Sequence, residues 1–179
     1  MKALLIIDIQ NDYFEGGAMP LVNSSQAAEN AKLVLDDFRE KGLPVIFIQH
    51  IAARPEAGFF LPDTKGAEIY EGVQPQKDEK IFVKYFPNSF RETGLDEYLK
   101  SSKIDELVIT GMMTHMCVDA TTRAAKDLEY NCTVIGDACA TRDLEIFGEK
   151  VKASEVQKSF LAALDYFYSE VIKAEDYLD

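Results

Sequence analysis

Three cysteines, two histidines and no phosphate-binding glycine motif in 179 residues each remove a class of function. Cys117, Cys132 and Cys139 are odd in number and match no zinc or disulfide spacing, so the thiols are expected to be free and the compartment reducing. Long apolar runs are missing too. The first, "ALLII", is broken by Asp8, too short for a signal-peptide core or a membrane span, which predicts a soluble, cytoplasmic protein with no membrane partner. Basic residues are scarce: 19 Lys and Arg face 31 Asp and Glu, and a net charge of −12 repels phosphate backbones, which argues against nucleic acid as a partner. "EGGAMP" is not G-x-G-x-x-G and nothing reads G-x-x-x-x-G-K-[ST], so neither a dinucleotide nor a triphosphate is implied. There is no repeat, low-complexity segment or linker, and the length suits a single domain over residues 1–179 with a sizeable core.

What is present alternates. Nearly continuous β-rich runs, "ALLIIDI" (3–9), "PVIFIQH" (44–50), "KIFVK" (80–84), "IDELVIT" (104–110) and "NCTVIGD" (131–137), read as strands covered on both faces. Helical spacing separates most of them: Ala31, Val34, Leu35 and Phe38, capped by Asn23 or Ser24 and stopped at Gly42, then Val118, Thr121, Ala125 and Leu128, then Val156 to Phe167. Strand and helix in alternation predict an α/β fold, a parallel sheet in a three-layer α/β/α sandwich. The irregular stretch from 52 to 79, with Phe59, Phe60 and three prolines, is long enough to predict a lid or pocket wall.

Ligands of open α/β sheets bind beyond the carboxyl ends of the strands. There the sequence places Asp8, His50, Lys84 and Asp137, with Cys117 just after the fourth strand. Asp8 follows apolar residues and needs a cation; Lys84 is the candidate. Cys132 and Cys139 read as inert small hydrophobes. Cys117 falls at an expected helix N-terminus, where backbone N–H groups and the helix dipole are expected to lower a thiol pKa and to stabilise an oxyanion.

"LLIIDIQNDYF", "VKYFPNSF" and "GMMTHMCVDATTRAAKDLEYNCTVIGDACATR" together resemble the isochorismatase-like cysteine hydrolases, in order over nearly the whole chain and weakest after residue 145. The resemblance implies a Rossmann-like sheet of six mostly parallel strands, a triad on Asp8, Lys84 and Cys117, and a non-proline cis peptide between Met112 and Met113. It places the oxyanion hole on the N–H groups of Met113 and Cys117. It implies no cofactor, a small-molecule substrate, and a homodimer or homotetramer, with the apolar "DYFYSEVI" near the C-terminus as interface surface.

The departures narrow the expected activity. Members that hydrolyse nicotinamide carry an Asp-x-His metal pair after the second strand and a further His. Here "IQHIAARPEAGFF" offers His50 at or beside the acidic position and Ala52 at the histidine position, which disfavours a metal. Retention of Cys117 favours cleavage of an amide or lactam through a thioester over the vinyl-ether chemistry of true isochorismatases, in which Asp8 would act as the acid. A redox thiol or a non-enzymatic binding module on the same fold is the remaining alternative. Gln10, Phe14, His50 and Phe86 are the expected substrate contacts, with Asn11 as a further orienting group and His115 facing toward or away from the site. Phe90 is expected in the core, and Phe59 and Phe60 in a lid or a neighbouring subunit.

Overall fold

A computed structural model describes residues 1–179, with the side chain of Pro55 left aside. Six strands form one sheet: β1 (Lys2–Ile7), β2 (Val45–His50), β3 (Lys80–Lys84), β4 (Glu106–Met112), β5 (Asn131–Ala140) and β8 (Glu170–Ile172), in the order β3-β2-β1-β4-β5-β8. Every pairing in it is parallel, so the expected "mostly parallel" becomes fully parallel. A separate antiparallel hairpin joins β6 (Leu144–Ile146) to β7 (Glu149–Val151). The order reverses direction between β1 and β4, the topological switch point at which such sheets bind ligands.

Alternation along β1 explains the layers. Leu4 and Ile6 face one side, packing with Ala31, Val34, Leu35 and Phe38 of α1 (Ser24–Glu40) and Ala174 of α5 (Ala174–Leu178). Ala3, Leu5 and Ile7 face the other, with Leu95 and Leu99 of α2 (Leu95–Ser101), Ala125 of α3 (Asp119–Asp127) and Leu164 of α4 (Ala153–Phe167). Strands buried on both faces must be apolar at consecutive positions, which is why they read as unbroken runs. Asn23 stands at the start of α1 but makes no side-chain cap bond, and its backbone is left-handed (φ +61°).

The helical spacing from Val156 to Phe167 is α4, but the apolar "DYFYSEVI" does not continue it as helix to its end. α4 stops at Phe167, and "EVI" pairs with β5 as the sixth strand, too short to announce itself by periodicity. The 52–79 stretch contains three short 3-10 turns, Pro55–Ala57, Lys65–Ala67 and Glu71–Val73. It is stitched to the end of β1 by Asn11 N to Glu68 O and Tyr70 N to Ile9 O. Among the described residues no helix is long and apolar enough to cross a membrane.

Candidate active site

Asp8 leaves β1 in a left-handed turn (φ +50°) while its N–H still bonds Ile48 O, so the strand ends and the side chain is redirected at a single residue. Lys84 and His50 are register partners at the last positions of β3 and β2. β4 runs into a cis peptide between Met112 and Met113, and a single π-helical turn, Thr114–Val118, then carries Cys117 into α3. Cys117 therefore sits in the turn that precedes the α-helix, not at the first residue of the helix itself. Gly111 makes this path possible. Its φ is +141°, and a Cβ there would lie 2.1 Å from Ile7 O, so β1 and β4 approach more closely than any side chain permits.

These elements bring Asp8, His50, Lys84 and Cys117 together. Asp8 and Lys84 are wholly buried and 2.7 Å apart (Oδ2 to Nζ). The pair meets at an angle off the hydrogen-bond direction, and Oδ1 of Asp8 has no partner among the described residues. Lys84 Nζ also faces His50 Nδ1 (3.1 Å) and the carbonyls of Phe86 and Pro87 (3.2 Å each). An ammonium only donates, so Nδ1 of His50 is the acceptor and its ring proton is on Nε2. Burial lowers the His50 pKa, Lys84 lowers it further and Asp8 opposes, leaving the imidazole neutral at pH 7. Burial acts to lower the Lys84 pKa, but the negative charge of Asp8, with the nearby Cys117 sulfur as a further acceptor, outweighs it and the pKa is raised.

The thiol differs from the sequence expectation. Burial first, and the Asp8 carboxylate second, push the Cys117 pKa far above that of a free cysteine, and the opposing pull of Lys84 does not compensate. The resting site holds a neutral thiol beside a carboxylate and an ammonium. Ligand atoms of Asp8, His50 and Cys117 lie within 4.8 Å of one another, a spacing that a cation can bridge, but the Lys84 ammonium already contacts two of the three.

Of the expected substrate contacts, Gln10 is corrected. It is wholly buried, its Nε2 donates to His50 O (2.9 Å) and Ala67 O (2.7 Å), and its Oε1 accepts from His50 N. Both donors are consumed in tying the 52–79 stretch to the end of β2, so Gln10 positions His50 instead of meeting substrate. Asn11 is likewise spent on Lys65 O. Phe14 stacks on Tyr70 at 3.7 Å, and the ring of Phe86 lies 3.5 Å beneath the Arg91 guanidinium. Phe90 stacks on Tyr130 in the core. His115 turns to Thr141 (Nδ1 to Oγ1, 2.6 Å), and Asp137 accepts from Ala174 N, so neither joins the cluster of Asp8, His50, Lys84 and Cys117.

One residue beside the cluster went unnoticed in the sequence. Tyr13 is buried against Phe60 (4.6 Å); burial raises its pKa, and the neighbouring Cys117 and Asp8 add to the shift. Phe60 is itself buried, 5.9 Å from the His50 ring, with its N–H on Asp12 Oδ2. Tyr13 lies within "DIQNDYF", and its closeness in sequence to Asp8 was the available signal. Ser89 of "VKYFPNSF" serves the architecture, since its N–H and hydroxyl bond Thr121 Oγ1 and fasten the segment after Lys84 to the helix after Cys117.

The chain matches the model of the isochorismatase domain over residues 2–175. It is 48% identical to the uncharacterized isochorismatase family protein YddQ of Bacillus subtilis, over 98% of each chain. It is 27% identical to the nicotinamidase of Escherichia coli, over 77% of this chain and 82% of that one. A crystal structure described as an isochorismatase hydrolase from Oleispira antarctica superposes with a TM-score of 0.95 at 47% identity, covering 99% of this chain and 95% of the other.

Proposed function

The chain belongs to the isochorismatase family of hydrolases, and from that premise we propose that it is a metal-independent cysteine hydrolase that cleaves a carbon–nitrogen bond, amide or lactam, in a small molecule. The observation that carries the reading is the free Oδ1 of a wholly buried Asp8 in the same cluster as a protonated thiol. A buried carboxylate paired with Lys84 and left with an unused acceptor is a general base awaiting a proton.

Asp8 takes the Cys117 proton as Sγ bonds the substrate carbonyl carbon, so no free thiolate need form beforehand. The N–H groups of Met113 and Cys117 hold the resulting oxyanion. Asp8 returns the proton to the departing nitrogen, the C–N bond breaks, and a thioester remains. Asp8 then deprotonates a water that attacks the thioester; the C–S bond breaks and sulfur recovers the proton. Lys84 stays paired with Asp8 between transfers, and the neutral His50, with Nε2–H as its donor, faces substrate. The E. coli relative, named a nicotinamidase, supports amide chemistry in this family.

The experiment is a screen of small amides and lactams with wild type, Cys117→Ala and Cys117→Ser. Turnover of an amide that Cys117→Ala lowers by more than about 10³-fold, with a covalent acyl adduct on Cys117 by mass spectrometry, is the expected result. Activity that survives Cys117→Ser would instead assign the site to ether hydrolysis by Asp8.

A further inference from the structure

The β6–β7 hairpin stands off the main sheet between Thr141 and Ala153, and its two-residue turn is Phe147-Gly148. Both residues have positive φ, +53° and +76°. Turns of this kind favour Asn, Asp or Gly at the first position, and a bulky aromatic there is strained. Phe147 is also 96% exposed, and Ile146 beside it 58%. The same residue is thus unfavourable in backbone and in solvation, and an isolated hairpin gains nothing from it.

Next to the base of the hairpin, beyond the ends of β5 and β8 and between α1 and α4, lies a cavity of about 610 Å³ that includes none of Asp8, Lys84 and Cys117. Its apolar wall includes Ala27, Ala140, Ala153, Leu161 and Ile172. Lys158 lines it and has no ion-pair partner among the described residues; Lys150 of the hairpin pairs with Asp143, whereas Glu145 and Glu149, which flank the tip, have none. The tip therefore presents apolar surface between two free carboxylates, and the cavity presents apolar surface beside the free Lys158 ammonium, with Asp137, which accepts from Ala174 N, and Asp176 also in its lining.

We propose that two copies of this chain form a two-fold dimer in which each β6–β7 hairpin seats Phe147 in the β5/β8 cavity of the other copy, with the Glu145 and Glu149 carboxylates beside Lys158. Hairpin and cavity adjoin at Thr141 and Ala153, so one two-fold axis makes the exchange reciprocal and closes the assembly. An aromatic side chain buries about 150–250 Å², reciprocity doubles it, and the strands of both hairpins add to this toward the roughly 1,600 Å² of a stable interface. The proposal is independent of the catalytic reading, because none of these residues is in the triad.

Sedimentation velocity tests it without a substrate. Wild type is expected to sediment as two chains of 20.1 kDa, or a multiple of two, and Phe147→Asp as fewer chains with unchanged circular dichroism. Lys158→Glu should weaken the assembly, and Glu145→Lys with Glu149→Lys should restore it in the Lys158→Glu background. A mixture of Phe147→Cys chains and Ser154→Cys chains, treated with a short bismaleimide, should yield a peptide that links position 147 of one copy to position 154 of the other. A wild type of one chain, an unchanged mass for Phe147→Asp, or no such cross-link overturns the proposal.

Discussion

Lys84 and Asp8 are each tolerable in the core only because of the other. Removing the ammonium alone, as in Lys84→Met, strands a buried carboxylate and is expected to cost about 3–5 kcal/mol, read from urea unfolding. Lys84→Met combined with Asp8→Asn should cost less than the two single changes added together, because the pair is lost as a unit. The thiol gives a second test. With Cys117 held protonated mainly by burial and then by Asp8, its alkylation by iodoacetamide should rise with pH only above the ordinary cysteine range. Asp8→Asn should move that rise to lower pH and Lys84→Met to higher pH. That Asp8, Lys84 and Cys117 would lie at one edge of the sheet was legible in the sequence because strand ends can be counted. The sign of the thiol shift was not, because burial comes from α3, α4 and the sheet together, and no local pattern shows how completely they enclose one atom.

At the level of elements, the site depends on how closely β1 and β4 approach. Gly111→Ala places a methyl group against the Ile7 carbonyl at a φ that alanine resists. The expected cost is about 3–5 kcal/mol from strain and overpacking, with loss of turnover even where the variant still folds; stability equal to wild type would show that the strands can part without harm. Four of the five long strands were readable because burial on both faces leaves uninterrupted apolar runs; β3, expected to be covered likewise, is an edge strand with Ile81 and Val83 exposed, and was readable from its residue types alone. β8 was not, since three residues at an edge carry no period, and neither was the role of Gln10, since an amide looks the same in sequence whether it bonds substrate or backbone. The π-helical turn at Cys117 was hidden for a related reason: it shares its residues with a helix start.

For the molecule as a whole, the three buried thiols set an alkaline limit. Burial pushes Cys132 and Cys139 up to about 12 and Cys117 upward as well. In the unfolded chain each ionises near ~8.5, so above that pH the folded state holds more protons and stability must fall as pH rises. The expected slope approaches about 1.4 kcal/mol per pH unit for each thiol fully ionised in the unfolded chain, measured by urea melts from neutral pH upward. Replacing Cys132 and Cys139 by Ala should flatten that slope while lowering stability at pH 7 through lost packing.

Those two thiols also have a use that chemistry at the site does not touch. Cys132 and Cys139 pair with Leu107 and Gly111 at opposite ends of the same β4–β5 seam. Each is buried and free, so each becomes visible to a thiol reagent only when its own end of the seam opens. Labelled under native conditions and read separately by mass, they form a two-point clock. Equal rates mean that the seam opens as one cooperative event, and unequal rates show from which end the sheet unzips.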